Sequence, residues 1–173
     1  MEKPVVLCYE SSQVEDEWKI VTPLRLIILN YEKREKFIKN HFSNDEETSN
    51  WLRSAKDNYI FAWAQSPKGL VDIVRGFEEQ GAMPKIVIAN LLGMESELTI
   101  LNSLKDSKYL LFSRKRDLVL EKPEEDPLTM FVKEKINREG NKRGKLVEYG
   151  TAEIESDIKY SIRGLKKNLE NGT

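Results

Sequence analysis

Between Tyr59 and Phe112 short apolar runs alternate with capped amphipathic segments, and this alternation constrains the fold more than any other feature. "YIFAWA" (59–64), "PKIVIANL" (84–91) and "KYLLF" (108–112) are aromatic or β-branched and lack polar alternation, as strands covered on both faces tend to be. Between the first two lies "SPKGLVDIVRGFEEQG" (66–81). Ser66 stands at an N-cap, Pro67 at the first helical position, Leu70, Ile73, Val74 and Phe77 on one stripe, and Gly81 at the stop. "ESELTILNSLKDS" then puts Leu98, Leu101 and Leu104 on one side of a second helix, about 95–105. Strand, helix, strand, helix, strand at this spacing asks for a parallel sheet with right-handed crossovers. The expected fold is α/β, with three layers and a mainly parallel sheet.

One alternative competes for the same residues. "IANLLGM" places Ala89, Leu92 and Gly93 where a helix-turn-helix puts a small packing residue, a core residue and the turn glycine. A winged helix would then run over about 84–105, with a basic wing at 109–121 whose Arg114, Lys115 and Arg116 meet phosphates. Against it, Leu98 and Leu101 sit one step early, leaving Thr99 and Asn102 at apolar positions. Its first helix would also open on Ile86-Val87-Ile88, β-branched residues that lose rotamer freedom in a helix.

The flanks are less regular. "VVLCYE" (5–10) reads as a buried strand. "TPLRLIILNYEKREKFIKNHF" (22–42) reads as a helix opened by Thr22 and Pro23, although 24–29 also suits a strand. "SNDEETSNWLRSAKDN" (43–58) opens on the capping Ser43 and continues as an amphipathic helix. From Lys122 the chain reads as a helical extension (122–173) to an α/β domain (1–121), with a possible short strand at 145–149. In its last helix Ile154, Ile158, Ile162, Leu165 and Leu169 form a stripe that can dock on its own domain or meet a second copy.

Composition bounds function. The 173 residues carry a net charge of -1, so any nucleic-acid contact must come from a local patch. A single cysteine, Cys8, excludes an internal disulfide and a multi-cysteine zinc site. No run is long or apolar enough to span a bilayer or serve as a secretory signal, which points to a soluble cytoplasmic protein with no membrane partner.

"YIFAWAQSPKGLVDIVRGFEEQGAMPKIVIANLLGMESELTILNSLKDSKYLLFSR" resembles the second half of a response-regulator receiver domain, over about Asn58–Arg114. In that family a strand ends in a phospho-accepting aspartate and is followed by a Pro/Gly loop, matched by Pro67 and Gly69, and an amphipathic helix. Pro84 to Asn90 match the fourth strand. The resemblance implies a flavodoxin-like fold, but the catalytic positions do not carry over. Trp63 or a near neighbour stands where the aspartate belongs, Ala89 at the hydroxyl position, and Phe112 at the lysine, with Arg114 the nearest cation. Of the acidic pair after the first strand only Glu10 remains. Without the aspartate no acyl-phosphate forms, so the resemblance implies a non-catalytic regulatory or interaction module. The same alternation also suits toll-interleukin-receptor-like domains.

No motif assigns catalytic residues, a metal or a cofactor. "QSPKG" and "LLGMES" carry one glycine each, too few for a phosphate cradle. His41 and Cys8 are each alone of their kind; a helix C-terminus suits the first and a buried apolar site the second. The acidic groups 15–17, 45–47 and 124–126 read as solvated helix starts and loops. The strongest functional hint is basic: Arg114, Lys115 and Arg116, then Lys142 and Arg143, then Arg163, Lys166 and Lys167. Together they suit a phosphate-contacting stripe, and separately they solvate loops. A protein partner or homodimer, through Ile154, Ile158, Ile162 and Leu165, is the other expected contact.

Overall fold

Val6, Leu7, Cys8 and Tyr9 are each fully buried, although their side chains point alternately to opposite sides of one strand. A strand so covered must lie inside a sheet with a layer on each face. The computed structural model describes residues 3–104, 107–114, 144–149 and 154–170, with the backbone alone for Arg114, residues 144–149 and Ile154. Its strands are β1 (Val5–Glu10), β2 (Ile60–Ala64), β3 (Ile86–Leu91), β4 (Lys108–Arg114) and β5 (Gly144–Tyr149). All pair in parallel, in the order β2-β1-β3-β4-β5.

The helices are α1 (Val21–Leu29), α2 (Tyr31–His41), α3 (Glu46–Asn58), α4 (Pro67–Gln80), α5 (Glu95–Leu101) and α6 (Ile154–Glu170). Val6, Cys8, Ile86, Ile88, Leu110 and Phe112 point to one face of the sheet, where α1, α2, α3 and α6 cover them. Leu7, Tyr9, Val87, Ala89, Tyr109 and Leu111 point to the other, under α4 and α5. This is the expected three-layer α/β fold, of flavodoxin-like topology.

The helix ends follow their local chemistry. Ser66 accepts a hydrogen bond from the Gly69 amide at 3.0 Å, Pro67 opens α4, and Gly81 ends it at φ 67°, the left-handed conformation glycine favours. Before α3 the cap is Asp45, which accepts from the Thr48 amide at 3.1 Å, in place of the expected Ser43. The helix expected over 22–42 is two. Asn30 is extended (φ -109°, ψ 120°), and its side chain caps α2 through the Lys33 amide at 3.0 Å. Buried Arg34 turns back to give Nη1 to the Ile28 carbonyl at 2.9 Å, satisfying the end of α1.

Two expectations are overturned. Ile86-Val87-Ile88 is extended and buried between β1 and β4, so no helix-turn-helix exists over 84–105. Residues 108–114 form an inner strand paired in parallel on both sides, which excludes a wing hairpin there; Lys115–Glu121 lie outside the described residues. The described residues of the 122–173 extension are integrated with the 1–121 domain, and the short strand expected at 145–149 is β5. β5 extends the same sheet beside β4, and α6 closes the same core.

Ile158, Ile162 and Leu165, expected as a partner-binding stripe, are buried within the domain; the side chain of Ile154 lies outside the described atoms. Each buried Ile or Leu, Leu169 included, contributes about 2 kcal/mol. Together they outweigh the roughly 1 kcal/mol that a mid-helix glycine costs. Gly164 has its own use, since a Cβ there would sit 3.0 Å from Leu110 Cδ2; its absence lets α6 lie close on β4.

Candidate functional site

In a parallel sheet of this order ligands bind at the carboxyl ends of the strands, where connections leave in opposite directions. Here that switch point lies between β1, which leads outward to β2, and β3, which leads to β4. Glu10 ends β1 and is level with Asn90, near the end of β3. Both are buried.

The Glu10 carboxylate fills the crevice. Its Oε2 accepts from the Ile20 amide at 2.7 Å and the Val21 amide at 3.0 Å, and its Oε1 from the Thr22 amide at 2.9 Å. These amides stand at the amino end of α1, which has no local side-chain cap. Asn90 Nδ2 donates to Glu10 Oε2 at 2.7 Å and to the Trp18 carbonyl at 3.0 Å, tying the β1–α1 loop to β3. A buried carboxylate is tolerated here because amide donors and the positive end of a helix dipole face it. These are the groups that elsewhere hold a phosphate.

Glu97 repeats the arrangement on the opposite face. Fully buried in the first turn of α5, its Oε1 accepts from the Gly93 and Met94 amides, each at 3.0 Å. Its Oε2 accepts from the Tyr9 hydroxyl. Burial first, then the adjoining carboxylate, pushes the Tyr9 hydroxyl far above the ordinary tyrosine range, so it stays a donor. Gly93 makes the turn at φ 89°.

Little space remains. A cavity of about 10 Å3 lies between Glu10, Thr22, Arg25 and Trp63, with room for a single water. The Arg25 guanidinium covers the Trp63 ring at 5.5 Å, and Trp63 stacks on Phe61 at 5.7 Å. Among the described residues no acidic, His or Cys cluster is arranged to hold a metal.

The run 60–64 is β2 at the sheet edge, and Ile86–Leu91 is the strand on the other side of β1.

The remaining candidates are dispersed. Cys8 is buried, and burial pushes its thiol well up, so it is a packing residue. His41 ends α2 with Nε2 3.2 Å from Glu155 Oε2. Asp16 pairs with Lys19 at 2.9 Å, and Glu47 with Lys166 at 2.9 Å. Lys166 also meets Glu170 at 2.8 Å, and these two carboxylates hold its ammonium above the ordinary lysine range. Arg163 stands 3.7 Å from Asp45 and covers the Phe42 ring. Lys115, Arg116, Lys142, Arg143 and the acids 124–126 lie outside the described residues, as does the side chain of Arg114. The described residues thus bring no basic stripe together.

Asn90 and Glu97 were missed as site residues, and Glu10 was noticed only as a remnant. The available signal was a polar residue ending an otherwise apolar strand, in "VVLCYE" and "IVIAN".

No helix among the described residues is long and apolar enough to cross a membrane. No protein-family model matches the chain, and no curated protein matches it. Among solved structures it is similar to a lysine decarboxylase of Francisella novicida, LdcF, at 13% identity and a TM-score of 0.43. That similarity covers 98% of this chain and 18% of the decarboxylase; at such a score it establishes neither fold nor activity for the chain.

Proposed function

We propose that this chain is a non-catalytic regulatory or protein-interaction domain, resembling a degenerate receiver whose switch point is closed by its own side chains. One observation carries the reading: the Glu10 carboxylate occupies the three amides of α1 and the Asn90 amide that a bound anion would need. A group so fully hydrogen-bonded has no spare capacity for a substrate, and displacing it strands several buried donors. The reading places the domain in the cytoplasm, a reducing compartment in which Cys8 stays a thiol.

The test is incubation with acetyl phosphate and Mg2+, followed by intact-mass spectrometry. The expected mass is unchanged. A gain of one phosphoryl group overturns the reading, and so does a rise in melting temperature with a nucleotide or flavin mononucleotide, since a ligand of the folded state stabilises it.

A further inference from the structure

Away from the sheet edge, α1, α2 and α6 enclose an open groove of about 260 Å3. Ile27, Phe37 and Ile158 line its buried part, and Leu26, 49% exposed, stands at its mouth. Leu29, also 49% exposed, and Tyr31, 69% exposed, extend the exposed apolar surface along the end of α1 and the start of α2. Lys33 and Lys36, one helical turn apart on α2, form the rim, and neither has an ion pair among the described residues. The one acid in the lining, Glu155 on the opposite wall, is largely exposed and lies 3.2 Å from His41 Nε2.

The volume falls below the roughly 300–1,000 Å3 of small-molecule pockets and suits one or two anchoring side chains. Apolar anchors in a groove, beside charges not yet paired, describe helix-in-groove recognition. We infer that this groove docks an acidic amphipathic helix of another protein, its apolar face on Leu26, Ile27 and Phe37 and its carboxylates on Lys33 and Lys36. The inference rests on the reading of the chain as a binding domain and names the surface it would use.

The test uses the full chain and two labelled synthetic helices of about 15 residues. Both carry the same leucine face, one flanked by glutamates and one by lysines, and binding is read by fluorescence anisotropy. The acidic peptide is expected to bind at least about tenfold more tightly than the basic one. Lys33→Glu with Lys36→Glu should abolish that preference. Leu26→Asp, at an exposed position that leaves the fold intact by circular dichroism, should weaken binding about tenfold or more. Absence of binding, equal binding of both peptides, or binding indifferent to Leu26→Asp overturns the inference. So does sedimentation showing a dimer that Leu26→Asp dissociates, because a second copy would then be the occupant. None of these outcomes touches the closed switch point, which the phosphorylation assay addresses separately.

Discussion

The β1–β3 crevice and the α1–α2–α6 groove lie on the same side of the sheet and differ in what their polar groups still lack. In the crevice three main-chain amides and the Asn90 amide are given to Glu10, and about 10 Å3 is left. In the groove the floor of Ile27, Phe37 and Ile158 is apolar, two lysines are unpaired among the described residues, and about 260 Å3 is open. A site whose bonds are all made internally contributes stability, whereas one with unmet charge and exposed apolar surface has interactions to offer. The position that the topology favours for a ligand is therefore the structural one here, and the helical layer holds the candidate surface.

The comparison breaks most readily at Glu10. Glu10→Ala strands three amides and the Asn90 side chain in a buried site, and should cost about 3 kcal/mol or more in urea denaturation. Formate should restore part of that loss by occupying the same amides. A cost below about 1 kcal/mol would show that the carboxylate does not close the crevice.

Next in size is Tyr9→Phe, which removes one donor from Glu97 and should cost about 1–2 kcal/mol at neutral pH. Its pH dependence sharpens the test. The folded state holds the Tyr9 proton more tightly than the unfolded chain does, so above about pH 10 the unfolded state binds fewer protons and stability falls. Wild type should lose stability above that pH more steeply than the Phe variant. Parallel curves would show that the hydroxyl is not held by burial.

Smaller effects probe the groove. Gly164→Ala pits about 1 kcal/mol of gained helix propensity against a Cβ 3.0 Å from Leu110, so its net effect should stay within about 1 kcal/mol. A larger loss would mean that α6, one wall of the groove, docks too tightly on β4 to adjust. Leu26→Asp should change stability by no more than about 0.5 kcal/mol, because the side chain is half exposed. A loss of several kcal/mol would reassign Leu26 from open surface to core.

Much of the fold was legible because it is written in local terms. The Ser66 cap, Pro67, the Leu70–Phe77 stripe and Gly81 lie within one segment, and their chemistry acts over three or four residues. The unalternating apolar run at Ile86–Leu91, with capped helices on either side, favoured a strand buried on both faces over the first helix of a helix-turn-helix. Local reasoning failed where two short-range signals competed. Asn30 divides an apparently continuous helix because its side chain caps the next one, and Asp45 rather than Ser43 caps α3.

By itself the sequence marked most of the elements and favoured a parallel sheet, since side-chain periodicity and capping report on neighbours along the chain, but it left 24–29 and 85–90 open between strand and helix. Only the tertiary structure decided that 60–64 is the edge strand and that β5 and α6 complete the same domain. It alone also decided that Glu10 seals the switch point through a partner 80 residues away. The physical reason is range: a carboxylate at a strand end is equally consistent with catalysis, solvation or capping until the chain folds and brings α1 and Asn90 to it.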